Sequence, residues 1–63
     1  MHLTLKQFRL IKGKKQCEMA ELLGVHVDTY RKLEEKPENV TVKQAKMISN
    51  YLGVSYNEIF FAD

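Results

Sequence analysis

Apolar residues recur along the chain at intervals of three and four. Leu5, Phe8 and Ile11 come first, then Met19, Ala20, Leu22 and Leu23, then Tyr30 and Leu33, then Val42, Ala45, Ile48 and Leu52, and last Ile59 and Phe60. Such intervals place side chains on one face of an α-helix, whereas a half-buried strand alternates every second residue. The spacing predicts five helices, over residues 4–12, 16–23, 27–35, 41–52 and 55–61, and needs no strand. The punctuation agrees. Thr4 with Gln7, Thr41 with Gln44 and Ser55 with Glu58 each fit the capping box, and Leu3 with Phe8 fits a hydrophobic staple. Gly13, Gly24 and Gly53 fall at three junctions, and Pro37 ends the third helix by disfavouring helical geometry at Lys36. The expected core is Leu5, Phe8, Ile11, Met19, Ala20, Leu23, Val25, Tyr30, Leu33, Val42, Ala45, Ile48, Leu52, Val54, Ile59 and Phe60.

The second and third segments carry most of the information. The first of the two stops at Gly24, which takes a left-handed helix cap at no steric cost, and the next begins almost at once near His26. Ala20 is small where the two helices must approach. The later helix carries Tyr30 and Leu33 inward and leaves Val27, Asp28, Arg31 and Lys32 on its other side. Two helices joined this tightly, over residues 16–35, have the geometry that lets the second protrude into a DNA major groove.

Composition bounds the alternatives. Sixty-three residues are expected to form one domain over 1–63, burying only about 60% of the surface its unfolded chain exposes. Net charge is +2, yet residues 1–15 hold five cations and no acid, while residues 16–40 hold three cations against six acids. The basic end is expected near a polyanion, although lysine-rich helix ends are equally often only solvated faces. One cysteine, Cys17, cannot form an internal disulfide and fits a reducing cytosol. Two histidines and that cysteine stand at no ligand spacing, so no metal is expected. No apolar run approaches the ~20 residues of a membrane span, and the first residues lack a signal-peptide pattern. No nucleophile–base set, carboxylate pair or phosphate-cradling glycine loop is present, so neither enzymatic activity nor a cofactor is expected, and the expected location is the cytoplasm.

The chain resembles the Cro/CI-type helix-turn-helix regulators of phages and bacteria, the XRE family. Carrying the resemblance are Phe8-Arg9, Gly13, Gln16, Ala20, Leu23-Gly24-Val25, Thr29, Leu33-Glu34, Asn39, Thr41, Ile48, Leu52-Gly53-Val54-Ser55 and Glu58-Ile59-Phe60, without insertion or deletion over residues 3–61. It implies an all-α, five-helix fold like the lambda repressor DNA-binding domain. By the same resemblance Val27, Asp28 and Lys32 match positions that read bases, with Arg31 flanking them. Gln16 matches a grip on the DNA backbone, for which Lys15, Thr29, Lys36, Asn39 and Lys43 are further candidates. Arg9 and Glu34 match positions that pair across the first and third helices and are expected to form a partly buried structural ion pair. Lysine and arginine suit guanine, valine suits the thymine methyl group, and aspartate accepts from cytosine.

Three departures from the family pattern stand out. Lys15 replaces the serine or threonine usual before Gln16, so a cap is lost there and a cation gained. Glu35-Lys36 stand where Asn-Gly is usual, and Glu35 and Glu38 weaken the case for close backbone contact by this loop. His26 replaces a Ser or Thr cap, and is either a phosphate contact whose titration makes binding pH-sensitive or an ordinary exposed histidine.

The chain stops soon after the fifth predicted helix, so association is expected through the domain itself. Tyr51, Val54, Tyr56, Phe60 and Phe61 supply an apolar surface for a symmetric homodimer, unless Phe61 only finishes the core. The expected partner is a palindromic double-stranded operator, bound by a Cro-like repressor of phage or prophage type. The competing reading is a protein-interaction module, antitoxin-like or anti-repressor, that keeps the fold, and the acidic middle segment leans that way.

Overall fold

Thr4 opens the first helix with both halves of a capping box: its hydroxyl accepts the Gln7 N–H at 3.2 Å while the Gln7 side chain accepts the Thr4 N–H at 2.8 Å. From there the computed structural model, which describes residues 3–60, runs through α1 (Leu5–Ile11), α2 (Gln16–Leu23), α3 (Val27–Glu35), a 3₁₀ turn (Pro37–Asn39), α4 (Val42–Leu52) and α5 (Tyr56–Phe60). No strand occurs among the described residues. Thr41 and Gln44 close the same reciprocal box at 3.1 Å in each direction. At α5, Ser55 receives the Glu58 N–H on its backbone carbonyl at 3.0 Å. Helices α1, α4 and α5 therefore begin one residue later than the sequence pattern suggests, since their caps stand outside them. Residue 61, the expected end of the last helix, lies outside the described residues.

Between α2 and α3 the backbone turns at Gly24, whose φ of 70° and ψ of 32° lie in the left-handed region. Val25 donates its N–H to the Ala20 carbonyl at 3.0 Å and Gly24 donates to Glu21 at 3.2 Å, the paired bonds of a Schellman ending. A side chain at Gly24 would meet nothing within 4 Å, so the demand for glycine there is conformational rather than steric.

Leu5, Met19, Ala20, Tyr30, Leu33, Ile48, Leu52 and Ile59 form one buried cluster, and Ala45 is buried too. Complete burial of Leu5, Met19 and Ile48 contributes about 1.5–3 kcal/mol for each side chain. Phe8, Leu23, Val25, Val54 and Phe60, expected inside, instead line the edge of the cluster as half-buried residues, together with Val27 and Val40.

Two expected core residues are on the surface: Ile11 is 64% exposed and Val42 60% exposed. In α1 the inward positions belong to Leu5 and Arg9, one turn apart. Ile11, two residues past Arg9 at about 100° per residue, points nearly the opposite way. Val42 shares its direction on α4 with Ser49, about two turns on. Neighbouring elements cover that strip at Ser49, 6% exposed, and leave it open at Val42. The Ser49 hydroxyl is satisfied by the Ala45 carbonyl at 2.8 Å. No helix among the described residues is long and apolar enough to cross a membrane.

Candidate nucleic-acid interface

Glu34, near the end of α3, organises the polar interior. Its carboxylate accepts Nε of Arg9 at 2.5 Å and Nη2 at 3.3 Å, the Tyr30 hydroxyl at 2.6 Å and Nε2 of Gln16 at 3.1 Å. The third guanidinium nitrogen of Arg9 donates to the Lys14 carbonyl at 2.8 Å. With side chains only 7% and 4% exposed, Arg9 and Glu34 form a buried ion pair. Such a pair offsets its desolvation only when the remaining donors and acceptors are satisfied, as they are here. No buried side-chain nitrogen or oxygen among the described residues lacks a hydrogen bond.

The electrostatics follow from this geometry. Burial pushes the Glu34 carboxyl upward, but the hydrogen bonds from Arg9, Tyr30 and Gln16 and the Arg9 charge together hold it below the usual value. The bond to Glu34 raises Arg9 against the opposing effect of burial. Burial, and then the bond to Glu34, pushes the Tyr30 phenol above its ordinary range. A network drawn from α1, α2 and α3 thus fixes the angle at which α3 stands. Tyr30 looked like a plain core residue in the sequence. Its spacing of four from Glu34 was the available signal that its hydroxyl had a partner.

On the outer side of α3, Asp28, Thr29, Arg31 and Lys32 are exposed. Val27 departs from its expected outward position: it is half-buried and packs against the core cluster, leaving only part of the side chain accessible. Asp28 and Arg31 engage each other, Nη1 of Arg31 donating to Oδ1 at 2.7 Å. His26 is itself the cap of α3. Its Nδ1 accepts the Asp28 N–H at 3.1 Å and lies 3.7 Å from the Asp28 carboxylate.

The backbone-contact candidates outside α3 belong to three other segments: the start of α2, the 3₁₀ turn and the first turn of α4. Gln16 is half-buried and has one side-chain N–H committed to Glu34, leaving its other N–H and its carbonyl oxygen. Lys15 gives α2 no side-chain cap, since an ammonium group only donates. The Glu18 carboxylate supplies the other half of the box by accepting the Lys15 N–H at 2.8 Å. Lys15, Lys36, Asn39 and Lys43 are all exposed, Lys36 and Asn39 around the 3₁₀ turn and Lys43 in the first turn of α4.

Of the expected association surface, Val54 and Phe60 pack against the core, and the Tyr56 and Phe60 rings meet at 5.7 Å between centroids. Tyr51 is 37% exposed, with Nζ of Lys14 4.8 Å from its ring centre. Phe61 lies outside the described residues. Cys17 is an exposed free thiol, and no group of three or more His, Cys, Asp or Glu side chains among the described residues could hold a metal ion.

The family model of the XRE-type helix-turn-helix matches residues 5–59. With most of the chain inside that match, the protein belongs to the XRE family of Cro/CI-type DNA-binding helix-turn-helix regulators, and its all-helical architecture is lambda-repressor-like. No curated protein and no solved structure gave a significant match.

Proposed function

We propose that the protein is a Cro-like repressor that binds a palindromic operator as a homodimer, at least when on DNA, in the bacterial cytoplasm. The observation carrying this reading is the exposed polar face of α3, set by a buried network that ties it to α1 and α2. A recognition helix must be held rigidly, because base-edge hydrogen bonds depend on placement within a few tenths of an ångström. Val27, Asp28 and Lys32 read base edges, with Arg31 beside them. Lys32 donates to guanine, the exposed part of Val27 packs on a thymine methyl group and Asp28 accepts from cytosine. Gln16, Lys15, Thr29, Lys36, Asn39 and Lys43 contact the sugar-phosphate backbone and set the register. Tyr51, Val54, Tyr56, Phe60 and Phe61 form the association surface.

Selection from a random duplex pool, followed by affinity measurements on the winner at two salt concentrations, tests this reading. Enrichment of a short palindrome with steep salt dependence is the expected result. Equal, weak binding to every duplex would replace it with a protein-interaction module on the same fold.

A further inference from the structure

Lys6, Gln16, Arg31, Glu34 and Glu35 line one open crevice of about 370 Å³ where α1, the start of α2 and the side of α3 converge. Three of these are hydrogen-bond donors, each from a different helix. At about 100° per residue, Arg31 lies roughly 60° around α3 from Glu34, on the Gln16 side, whereas Lys32 is turned roughly 160° from Glu34. Asp28, roughly a further 60° around the helix and outside the crevice, holds only Nη1 of Arg31, at 2.7 Å, so the other guanidinium donors stay free for a ligand in the crevice that Arg31 lines. Glu34 adds little negative potential to the crevice floor, because Arg9 neutralises it in a buried pair.

We infer that Lys6, Gln16 and Arg31 form a phosphodiester clamp, and that Arg31 grips the DNA backbone rather than reading a base. The inference rests on the DNA-binding reading above and adds Lys6, on α1, to the interface. Two cationic side chains then flank the free N–H of Gln16, and Glu35 is the one uncompensated acid at the rim. Sequence reading is left to Val27, Asp28 and Lys32.

The test compares the full chain with Lys6→Ala, Arg31→Ala, Lys32→Ala and Glu35→Gln, on the selected duplex and on one of scrambled sequence, over a salt series. Lys6 and Arg31 are exposed, so loss of folding is not a concern. Lys6→Ala and Arg31→Ala are each expected to weaken both duplexes by the same factor and to lower the salt slope by about 1. Glu35→Gln is expected to tighten both, and Lys32→Ala to penalise the selected duplex alone. Relaxed preference at one base pair in Arg31→Ala, or unchanged affinity and slope in Lys6→Ala, would overturn the clamp while leaving the DNA-binding reading intact. Because phosphate contacts are independent of sequence, the test works on any duplex that binds. Absence of binding to every duplex would sink both.

Discussion

Gln16, the first residue of α2, donates a side-chain N–H to Glu34 of α3 at 3.1 Å, on the same carboxylate that holds Arg9 and Tyr30. The entry of one helix and the exit of the next are therefore tied to a single buried charge. Orientation of the exposed α3 face depends on that charge remaining paired, which links interior stability to the candidate interface.

Breaking the pair from one side is expected to be costly. Arg9→Met leaves the Glu34 carboxylate buried without its cation, and a loss of about 3–5 kcal/mol in urea unfolding is expected. Replacing both partners, as Arg9→Met with Glu34→Leu, removes the uncompensated charge and should cost clearly less than the two single losses summed. A single-variant loss below about 1 kcal/mol, typical of exposed pairs, would show that the pair is not buried in solution.

The same network sets the pH limits of stability. Unfolded Glu34 titrates near 4.5 and the folded carboxyl lies lower, so the folded state binds this proton more weakly. Its contribution is complete above 4.5 and is lost as pH falls through the folded value. Tyr30 is the mirror case: with an ordinary value of 10.0 raised by folding, its contribution is complete below 10.0 and is lost as pH rises beyond it. The difference in unfolding free energy between wild type and Glu34→Gln should stay constant between pH 4.5 and 10.0, where neither group titrates in the unfolded chain, and shrink below 4.5. A difference that stays flat to the acid limit of folding would rule out a depressed carboxyl.

His26 caps α3 through Nδ1, which must be unprotonated to accept the Asp28 N–H. His26→Ala should cost about 1 kcal/mol or less, given how exposed the site is, and His26→Ser should recover most of it by capping through a hydroxyl. Thermal unfolding of the three proteins decides the point. A serine variant no better than the alanine variant would mean that the histidine ring contributes something other than a cap.

Helix positions were legible because their signals are local. Thr4, Gly24 and Thr41 act through bonds to residues within five positions, and a sequence displays such neighbours directly. Apolar period likewise identified Met19, Tyr30, Ile48 and Leu52. It could not say how far neighbouring helices extend over each face, and so it placed Ile11 and Val42 inside and left Val27 outside. The bond from Gln16 to Glu34 spans eighteen residues and depends on the relative placement of two helices, which no local pattern encodes. His26 was legible as an unusual cap residue, but only the ring geometry showed that it does the capping itself.

The contrast between Ile11, Val42 and Ile48 can be measured directly. All three look alike in the apolar pattern, yet Ile48 is 0% exposed while the other two are mostly solvated. Ile48→Ala removes buried methyl groups and opens a cavity that its neighbours fill only partly, so a loss of about 2–5 kcal/mol is expected. Ile11→Ala and Val42→Ala leave no cavity, and each should stay within about 0.5 kcal/mol of wild type. Alanine also has the better helix propensity, which acts in the opposite direction to any small loss of contact. Urea titrations of the three variants separate the cases. A loss above 2 kcal/mol at Ile11 or Val42 would mean that the chain covers that side chain in solution, by association or by a different seating of α1 or α4.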